Sequence, residues 1–311
     1  MWEYAEAGRL LTMESVTATE CIYCETPLAR LPARKFETGD RCLLVQFSLC
    51  MVCGWWTVYR VHQGDIPRAR EAESYSGAIG CLKELDLKDV SIPLGEVRKY
   101  IAAKKEKVYE VDPDVFEDIV GSIFQDFGYQ IRVTGQRVPG QGGDDGIDVI
   151  VDSSDGTIGV QVRRYKKSLR IEADAIRSLA GALLLGGHTK GIFITTSKFR
   201  RGATRTAGRY AGMGRPVELV NAHQFFQKLG IAQLKKVDIT DERINSYILS
   251  PGVNLGGGLT KEFVEGENLF DRPVVGMTFT RAEMLEMAED GFSWPTTFSA
   301  GGDSGGEEAL S

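Results

Sequence analysis

The sequence predicts an α/β protein in which helices flank a mixed sheet, with a small metal-binding module at the N-terminus. Two observations predict this fold class. Between about residues 112 and 229, apolar positions with helical spacing alternate with short strand-like runs. Near the N-terminus, four cysteines form two CxxC pairs within 33 residues. A chain of 311 residues that is 42% hydrophobic can bury a sizeable core.

The two cysteine pairs are separated by 25 residues, and a glycine that permits a tight turn follows the second pair. The four residues are Cys21, Cys24, Cys50 and Cys53. Four thiolates suit a tetrahedral structural Zn²⁺ site, so we interpret this region as a zinc ribbon. The alternative is a set of free thiols, since the interval is slightly longer than usual for such sites. Cys42 and Cys81 fall outside the spacing and are interpreted as core thiols.

Aromatic and apolar segments surround the second cysteine pair, as expected for ribbon strands. We expect Trp55, Trp56 and Tyr59 to pack over the zinc site. The alternative is that these rings stack on nucleic-acid bases.

A polar stretch from residue 62 to about 87 is interpreted as a linker. After it, residues 93–107 have helical spacing at Val97, Ile101 and Ala102, which predicts a connecting or partner-binding helix.

The α/β unit begins with a helix for which Asp112 is the expected N-cap and Pro113 the first residue, and which ends at Gly128. A strand, YQIRVTG, and a glycine-rich loop follow. The strands IDVIVD and TIGVQVRRY are joined by the turn SSDG, which predicts a hairpin. Next come a helix over about 172–185, a strand, a helix over about 200–211, a strand and a final helix. This order predicts a mixed sheet covered on both faces.

Five stretches of this unit carry a family resemblance: FEDIVGSIFQDFGY, GGDDGIDVIV, VQVRRYK, KGIFITTSKFRRGATRTA and PVELVNAHQFFQKL. Together they resemble the catalytic domain of the Mrr-like restriction endonucleases, a branch of the PD-(D/E)xK nuclease superfamily. The resemblance covers about 120 of the 311 residues. It implies a restriction-endonuclease-like fold, metal-dependent cleavage of DNA and a role in defence against foreign DNA.

We therefore expect four regions in the chain. They are a zinc ribbon over 1–62, a linker and connecting helix over 63–110, an Mrr-like nuclease domain over 111–232, and an acidic, partly flexible region over 233–311.

Polar residues interrupt the predicted hairpin. Asp148 begins one strand, and Gln161 and Arg163 lie two residues apart on the next, so both project from one face beside Asp148. Phosphodiester hydrolysis uses a divalent metal, and hard oxygen ligands suit Mg²⁺ or Mn²⁺. Asp148 is the expected leading metal ligand; the alternative is a strand-capping role.

The resemblance assigns roles to two further acidic or amide positions. It implies that Gln161 stands where the superfamily usually has its second acidic residue, and its amide oxygen could still bind the metal. Glu117 corresponds to the acidic helix position and would act through a metal-bound water; the alternative is a solvated helix-edge acid. Asp144 and Asp145 are interpreted as turn residues rather than outer ligands.

Arg163 departs from the family pattern, in which a lysine is expected. Arginine stays charged and cannot accept a proton, but its guanidinium group can donate two hydrogen bonds to one phosphate. Lys166 should face the opposite side of the strand, so it is not a simple replacement. The sequence thus leaves open an active nuclease, a DNA-binding or scaffold module without turnover, and a nuclease that acts on RNA.

Charge is distributed unevenly along a chain whose net charge is −6. Residues 163–215 contain 13 Lys or Arg against two acids, a local net charge of +11, which indicates a nucleic-acid partner. The predicted contact residues are Arg164, Lys166, Lys198, Arg200, Arg201 and Arg205, with Ser197 as the cap of their helix. The alternative is a merely solvated basic helix.

Residues 236–311 carry five basic and 14 acidic residues and are rich in glycine, which is typical of flexible segments. This acidic region would increase solubility, or it would shield the basic residues of 163–215 from non-specific DNA binding. The chain contains no apolar run long enough for a membrane span and begins without a secretory pattern, so we expect a cytoplasmic protein. A homodimer would suit the cleavage of two strands, and protein partners of the ribbon or tail are not specified by the sequence.

Overall fold

A computed structural model describes residues 2–7, 19–30, 33–38, 41–66, 69–134, 146–235 and 260–264. The strands are β1 (Trp2–Ala7), β2 (Ala29–Arg30), β3 (Ala33–Thr38), β4 (Arg41–Leu49), β5 (Trp56–Ile66), β6 (Ala69–Leu82), β7 (Gln130–Val133), β8 (Val149–Ser153), β9 (Gly156–Arg163), β10 (Arg170–Ile171), β11 (Lys190–Thr195), β12 (Lys198–Phe199), β13 (Val217–Val220) and β14 (Thr260–Val264). The helices are α1 (Leu94–Ala103), α2 (Pro113–Asp126), α3 (Ala173–Leu185), α4 (Arg201–Gly212) and α5 (Ala222–Lys235), with a 3₁₀ helix at Lys105–Tyr109. Among these described helices, none has the length and hydropathy that crossing a bilayer requires.

The N-terminal strands form an antiparallel sheet in the order β1-β6-β5-β4-β3-β14, with β2 paired to β4. The linker predicted from residue 63 is wrong as far as Leu82, because Ala69–Leu82 is a strand of 14 residues that pairs with β5. Its residues are polar and small, so it lacks the apolar alternation by which strands are predicted. Strand β14 lies in the region predicted to be partly flexible, yet it pairs with β3.

The second sheet has five strands in the order β13-β11-β9-β8-β7. Strands β9, β11 and β13 are parallel, while β7 and β8 run antiparallel to their neighbours. The predicted mixed sheet flanked by helices is confirmed.

Local signals place the first helix of this unit. The Asp112 side chain accepts hydrogen bonds from the backbone N–H groups of Asp114 at 2.9 Å and Val115 at 3.4 Å, so it caps the helix as predicted. Gly128, just past the helix end, has a φ of 91°, a conformation that glycine adopts without strain.

Two layers of helices cover the five-stranded sheet. Helices α2 and α5 pack on one face, where Phe116 and Phe225 join Ile192 of β11 in one core. Helices α3 and α4 pack on the other face, where Ile176 and Phe193 belong to a second core. The alternation of Ile192 and Phe193 along β11 therefore separates the two cores.

The connecting helix α1 is fixed to the α/β domain. Its residues Val97 and Ile101 are buried in the core shared with α2. Arg98 is 2% exposed, donates to Asp126 at 2.6 Å and to Ser122 at 3.0 Å, and so ties α1 to α2. The apolar face of α1 is thus occupied by the chain itself, which favours the connecting role over partner binding.

The cysteine-containing turns pack on the same core. Trp55 is buried in the core that contains the four cysteines and donates its indole N–H to the carbonyl of Gly80 at 3.0 Å, which confirms the packing interpretation for this ring. Trp56 is also buried, and its ring stacks on Phe47. A Cβ atom at Gly230 of α5 would lie 4.0 Å from Val52, beside the second cysteine pair. The side chains of Tyr59, His62 and Cys81 lie outside the described residues.

Candidate active site

Asp148 lies directly before β8, beside the end of β9. The residue is buried, and its Oδ2 atom accepts a hydrogen bond from the backbone N–H of Val162 at 2.5 Å. Its own N–H donates to the carbonyl of Val160 at 2.9 Å. The carboxylate therefore takes the place of a backbone carbonyl where the ladder between the two strands ends.

Arg163 lies beside this carboxylate, as predicted. Its Nη1 atom is 3.5 Å from Asp148 Oδ2 and 3.0 Å from the carbonyl oxygen of Val162. The side chain is 37% exposed, whereas that of Asp148 is 3% exposed. One end of the guanidinium is thus held by the protein, while the rest is accessible from solvent.

Gln161 lies two residues before Arg163 and is buried. Continuing the Val149–Val160 register by one residue sets Asp148 opposite Gln161. Within the described part of the chain, the Oε1 atom of Gln161 is buried and accepts no hydrogen bond. Gly146, with a φ of 83°, passes close to the amide, since a Cβ there would lie 3.4 Å from Gln161 Nε2.

Glu117 is half-buried near the start of α2, and its role in the site remains a prediction. Asp144 and Asp145 lie outside the described residues.

Two threonines at the end of β11, which the sequence analysis missed, extend the pairing of this strand with β9. Thr195 donates its hydroxyl to the carbonyl of Arg163 at 2.9 Å. Thr196 donates to the carbonyl of Tyr165 at 2.7 Å and accepts from its N–H at 2.9 Å. These side chains hold the backbone on both sides of residue 164. Two adjacent threonines that directly follow the apolar run GIFI are the sequence signal that would have identified them.

Exposed cations follow the same edge of the sheet. Lys166, Lys198, Arg200, Arg201 and Arg205 are all exposed. The guanidinium of Arg200 contacts Glu172, with 2.6 Å between Nε and Oε1. The predicted contact residues thus lie near the end of β9, on β12 and on the first turns of α4.

Two predictions about this edge need correction or qualification. Ser197 does not cap α4, because it is buried and its hydroxyl donates to the carbonyl of Leu169; Arg200 is the N-cap instead. The chain pairs as β12 with β10 before the helix begins.

Arg164 is half-buried and donates a hydrogen bond to the carbonyl of Tyr109, so it ties the end of β9 to the 3₁₀ helix. Its predicted role in nucleic-acid binding stays untested.

The four predicted zinc ligands come together in one buried cluster. The sulfur atoms of Cys21, Cys24, Cys50 and Cys53 all lie within 4.8 Å of one another. The Sγ atoms are 3.5 Å apart for Cys21 and Cys53 and 3.3 Å apart for Cys24 and Cys50. Gly54, with a φ of 82°, donates its N–H to the carbonyl of Cys50 and closes the second turn.

The electrostatics of the cluster favour thiolate at two positions, because the hydrogen bond from Cys21 lowers the pKa of the Cys50 thiol as well as that of Cys24. The hydrogen bond from Cys21 holds the pKa of the Cys24 thiol well below its usual range. Thiolates are the form of cysteine that binds metal. A buried tetrathiolate donor set fits Zn²⁺, consistent with the predicted ribbon.

Comparison with protein families decides the identity of the α/β domain. The family model Mrr_cat, described as a restriction endonuclease, matches residues 108–229. This domain belongs to the Mrr_cat restriction endonuclease family. The predicted resemblance is confirmed for these residues, and membership of this family supports a nuclease. Apart from the corrected linker, the bounds of the predicted regions remain predictions.

Two solved structures are similar to parts of the chain. A protein of unknown function, AF1548, is 16% identical, with 43% of this chain and 76% of that chain covered and a TM-score of 0.30. The DNA modification-dependent restriction endonuclease AspBHI is 13% identical, with 57% of each chain covered and a TM-score of 0.32. The chain therefore spans just over half the length of AspBHI. A search of curated proteins found no match.

Proposed function

We propose that the protein is a metal-dependent endonuclease that cleaves DNA phosphodiester bonds in restriction or defence against phage. The Mrr_cat match supports the nuclease class. The observation that carries the metal-dependent part is the pairing of buried Asp148 with the buried Gln161 oxygen, which accepts no hydrogen bond from the described residues.

Asp148 and Gln161 would hold the divalent cation. Buried polar atoms are almost always hydrogen-bonded, so a buried amide oxygen without a donor requires an explanation. A hard cation provides one, because Mg²⁺ and Mn²⁺ bind carboxylate and amide oxygens. When bound, such an ion polarises the phosphoryl group and lowers the pKa of water.

Arg163 would contact the scissile phosphate. Its guanidinium is permanently charged and offers parallel donors that match two phosphate oxygens. Negative charge that develops on these oxygens would be stabilised by donors already in place. Arg163 cannot accept the proton of the attacking water, so that proton would leave to solvent, and Glu117 would support a metal-bound water.

The exposed cations would bind the DNA backbone on either side of this phosphate. Lys166, Lys198, Arg200, Arg201 and Arg205 lie along the edge at which the parallel strands end. Contacts of this kind position the duplex without reading its sequence. The four cysteines would hold a structural Zn²⁺ ion that fixes the ribbon against α5.

Arg163 also supports a second candidate, a nuclease-fold module that binds DNA without cleaving it. The family pattern has lysine at this position, and here a permanent cation lies 3.5 Å from Asp148, where a metal ion is needed. A fixed positive charge at that distance weakens metal binding.

Cleavage of supercoiled plasmid with Mg²⁺ or Mn²⁺ tests the proposal. We expect the wild type to nick or linearise the plasmid and Asp148→Ala to lose this activity. The matched control is Asp152→Asn, an exposed acid on the same hairpin, which should cleave like the wild type. Equal cleavage by wild type and Asp148→Ala would remove the assignment, and selective cleavage of duplex RNA would change the substrate class.

A further inference from the structure

A cavity of about 330 Å³ lies between helices α2 and α5, on the sheet. Its lining runs along β11 and β13, and the charged lining residues of these strands, Lys190 and Glu218, lie near the start of each strand. Arg163 is the last residue of β9, which is parallel to β11. The charged end of the cavity is therefore at the opposite end of the strands from the proposed active site. The proposed function makes no use of it.

Strand alternation gives the cavity a charged mouth and an apolar body. Lys190, Ile192 and Ile194 of β11 share one face of the sheet, and so do Glu218 and Val220 of β13. The first of these residues in each strand is charged and the later ones are aliphatic. A ligand would thus meet two charged groups at the end of the sheet and apolar surface further in.

The helical walls are held together at two points. The rings of Phe116 and Phe225 have centroids 5.1 Å apart, and Lys235 Nζ lies 4.5 Å from the ring centroid of Phe127. The lining on α2 falls between Val120 and Phe127, within these two contacts. Protein cores contain few voids larger than a water molecule, whereas ligand pockets start at roughly 300 Å³.

The charges at the mouth do not cancel. Lys190 Nζ is 2.8 Å from Glu218 Oε2, and Lys228 Nζ is 3.6 Å from Glu218 Oε1. Two ammonium groups share one carboxylate, which leaves a net charge of +1 for these three lining residues. Each ammonium has three donors, so both can bind a further acceptor without losing Glu218.

We propose that this cavity binds a small amphipathic monoanion, with its aliphatic or aromatic body between α2 and α5 and its carboxylate at Lys190 and Lys228. The apolar lining selects the body, and the excess positive charge selects the sign of the head group. This inference is independent of nuclease activity.

The head-group preference is tested on the full chain by isothermal titration calorimetry with decanoate, decanol and decylamine. These probes share one apolar body and differ in charge. We expect decanoate to bind about 10-fold more tightly than decanol, and decylamine to bind most weakly. Equal affinities for the three probes, or no saturable binding of decanoate, would overturn the proposal.

Two variants locate the binding site. Ile158→Trp adds volume inside the cavity and should abolish decanoate binding, while Leu184→Trp, at a position 58% exposed on the opposite layer, should leave it unchanged. Lys228→Gln should weaken decanoate about 10-fold and leave decanol unaffected, with the exposed Lys88→Gln as its control. Circular dichroism checks the fold of each variant. If Ile158→Trp fails to fold, the Lys228→Gln result decides, and undiminished decanoate binding there contradicts the proposal.

Discussion

The cysteine cluster and the Asp148 site are two candidate metal sites, and they differ in how completely the protein surrounds the ion. Four buried sulfurs lie within 4.8 Å of one another in the first. In the second, one carboxylate and one amide oxygen lie beside a half-exposed guanidinium. Structural metal sites are closed by protein ligands, whereas catalytic sites keep positions for water and substrate. Under the proposed function, the cysteine cluster would serve stability, and the Asp148 site would allow its metal ligands to exchange.

Removing one cysteine should have the largest effect on the fold. Structural zinc supplies about 10 kcal/mol or more in small zinc-binding peptides. Because the cluster and the nuclease domain share a core, we expect Cys50→Ser to lose its zinc and to lower the melting temperature of the whole chain. Metal analysis and thermal unfolding measure the two effects. Cys42→Ser, a half-buried cysteine outside the cluster, should keep both properties. A Cys50→Ser variant that keeps its zinc and the wild-type melting temperature would contradict the stabilising role of the cysteine cluster.

Substitutions of Asp148 should separate activity from stability. Both Asp148→Ala and Asp148→Asn remove the charged ligand, and we expect each to lose about 1,000-fold in cleavage rate. Only alanine leaves the Val162 N–H without its acceptor, which costs about 1–3 kcal/mol. Urea unfolding should therefore show a loss for alanine and little change for asparagine. Equal destabilisation by both substitutions would show that the charge, rather than the hydrogen bond, stabilises this strand end.

Arg163 distinguishes the active nuclease from the binding module. We expect Arg163→Ala to lower the rate of plasmid cleavage about 100-fold, because developing charge on the phosphate loses a fixed donor. Arg163→Lys should retain most of the activity, since a cation remains at the same strand position. A wild type that never cleaves, together with an Arg163→Lys variant that does, would instead identify a dormant module.

The smallest expected effect concerns the basic edge. Arg201→Ala and Arg205→Ala should each reduce the slope of log affinity against log salt by about one for duplex DNA. Fluorescence anisotropy in the presence of Ca²⁺ measures binding without a requirement for turnover. Arg132→Ala, an exposed cation on β7, serves as the control and should keep the wild-type slope. An unchanged salt slope for Arg201→Ala would show that the DNA backbone does not contact α4 at this residue.

Much of the α/β domain could be predicted from local chemistry. Asp112 and Pro113 mark the start of a helix, and Gly128 marks its end. The turn after Ser153 marks a hairpin. Each of these signals depends only on residues a few positions away. The positions of Gln161 and Arg163 on one face followed from the two-residue period of β9, whereas the role expected for Gln161 came from the family resemblance. The cysteine cluster was predicted from spacing alone.

The remaining features depend on contacts between distant segments. Strand β6 is polar, so its pairing with β5 cannot be inferred from an apolar pattern. Ser197 has the residue type of a helix cap, but the pairing of β12 with β10 delays the helix. Arg164 looks like a surface cation in the sequence, and only the position of Tyr109, 55 residues earlier, turns its guanidinium inward. Such features require the folded chain.

The buried contact of Arg98 with Asp126 has a consequence for where the enzyme would cut. Breaking such a pair costs about 3–5 kcal/mol, so α1 is held firmly against α2. The cysteine-containing turns of the N-terminal sheet pack on the same core as these two helices. If the N-terminal sheet recognises a feature of the DNA, the rigid connection fixes the distance between that feature and the cleaved phosphodiester bond. Mapped cut positions would then fall at one offset from the recognised feature, whereas a flexible tether would scatter them over many.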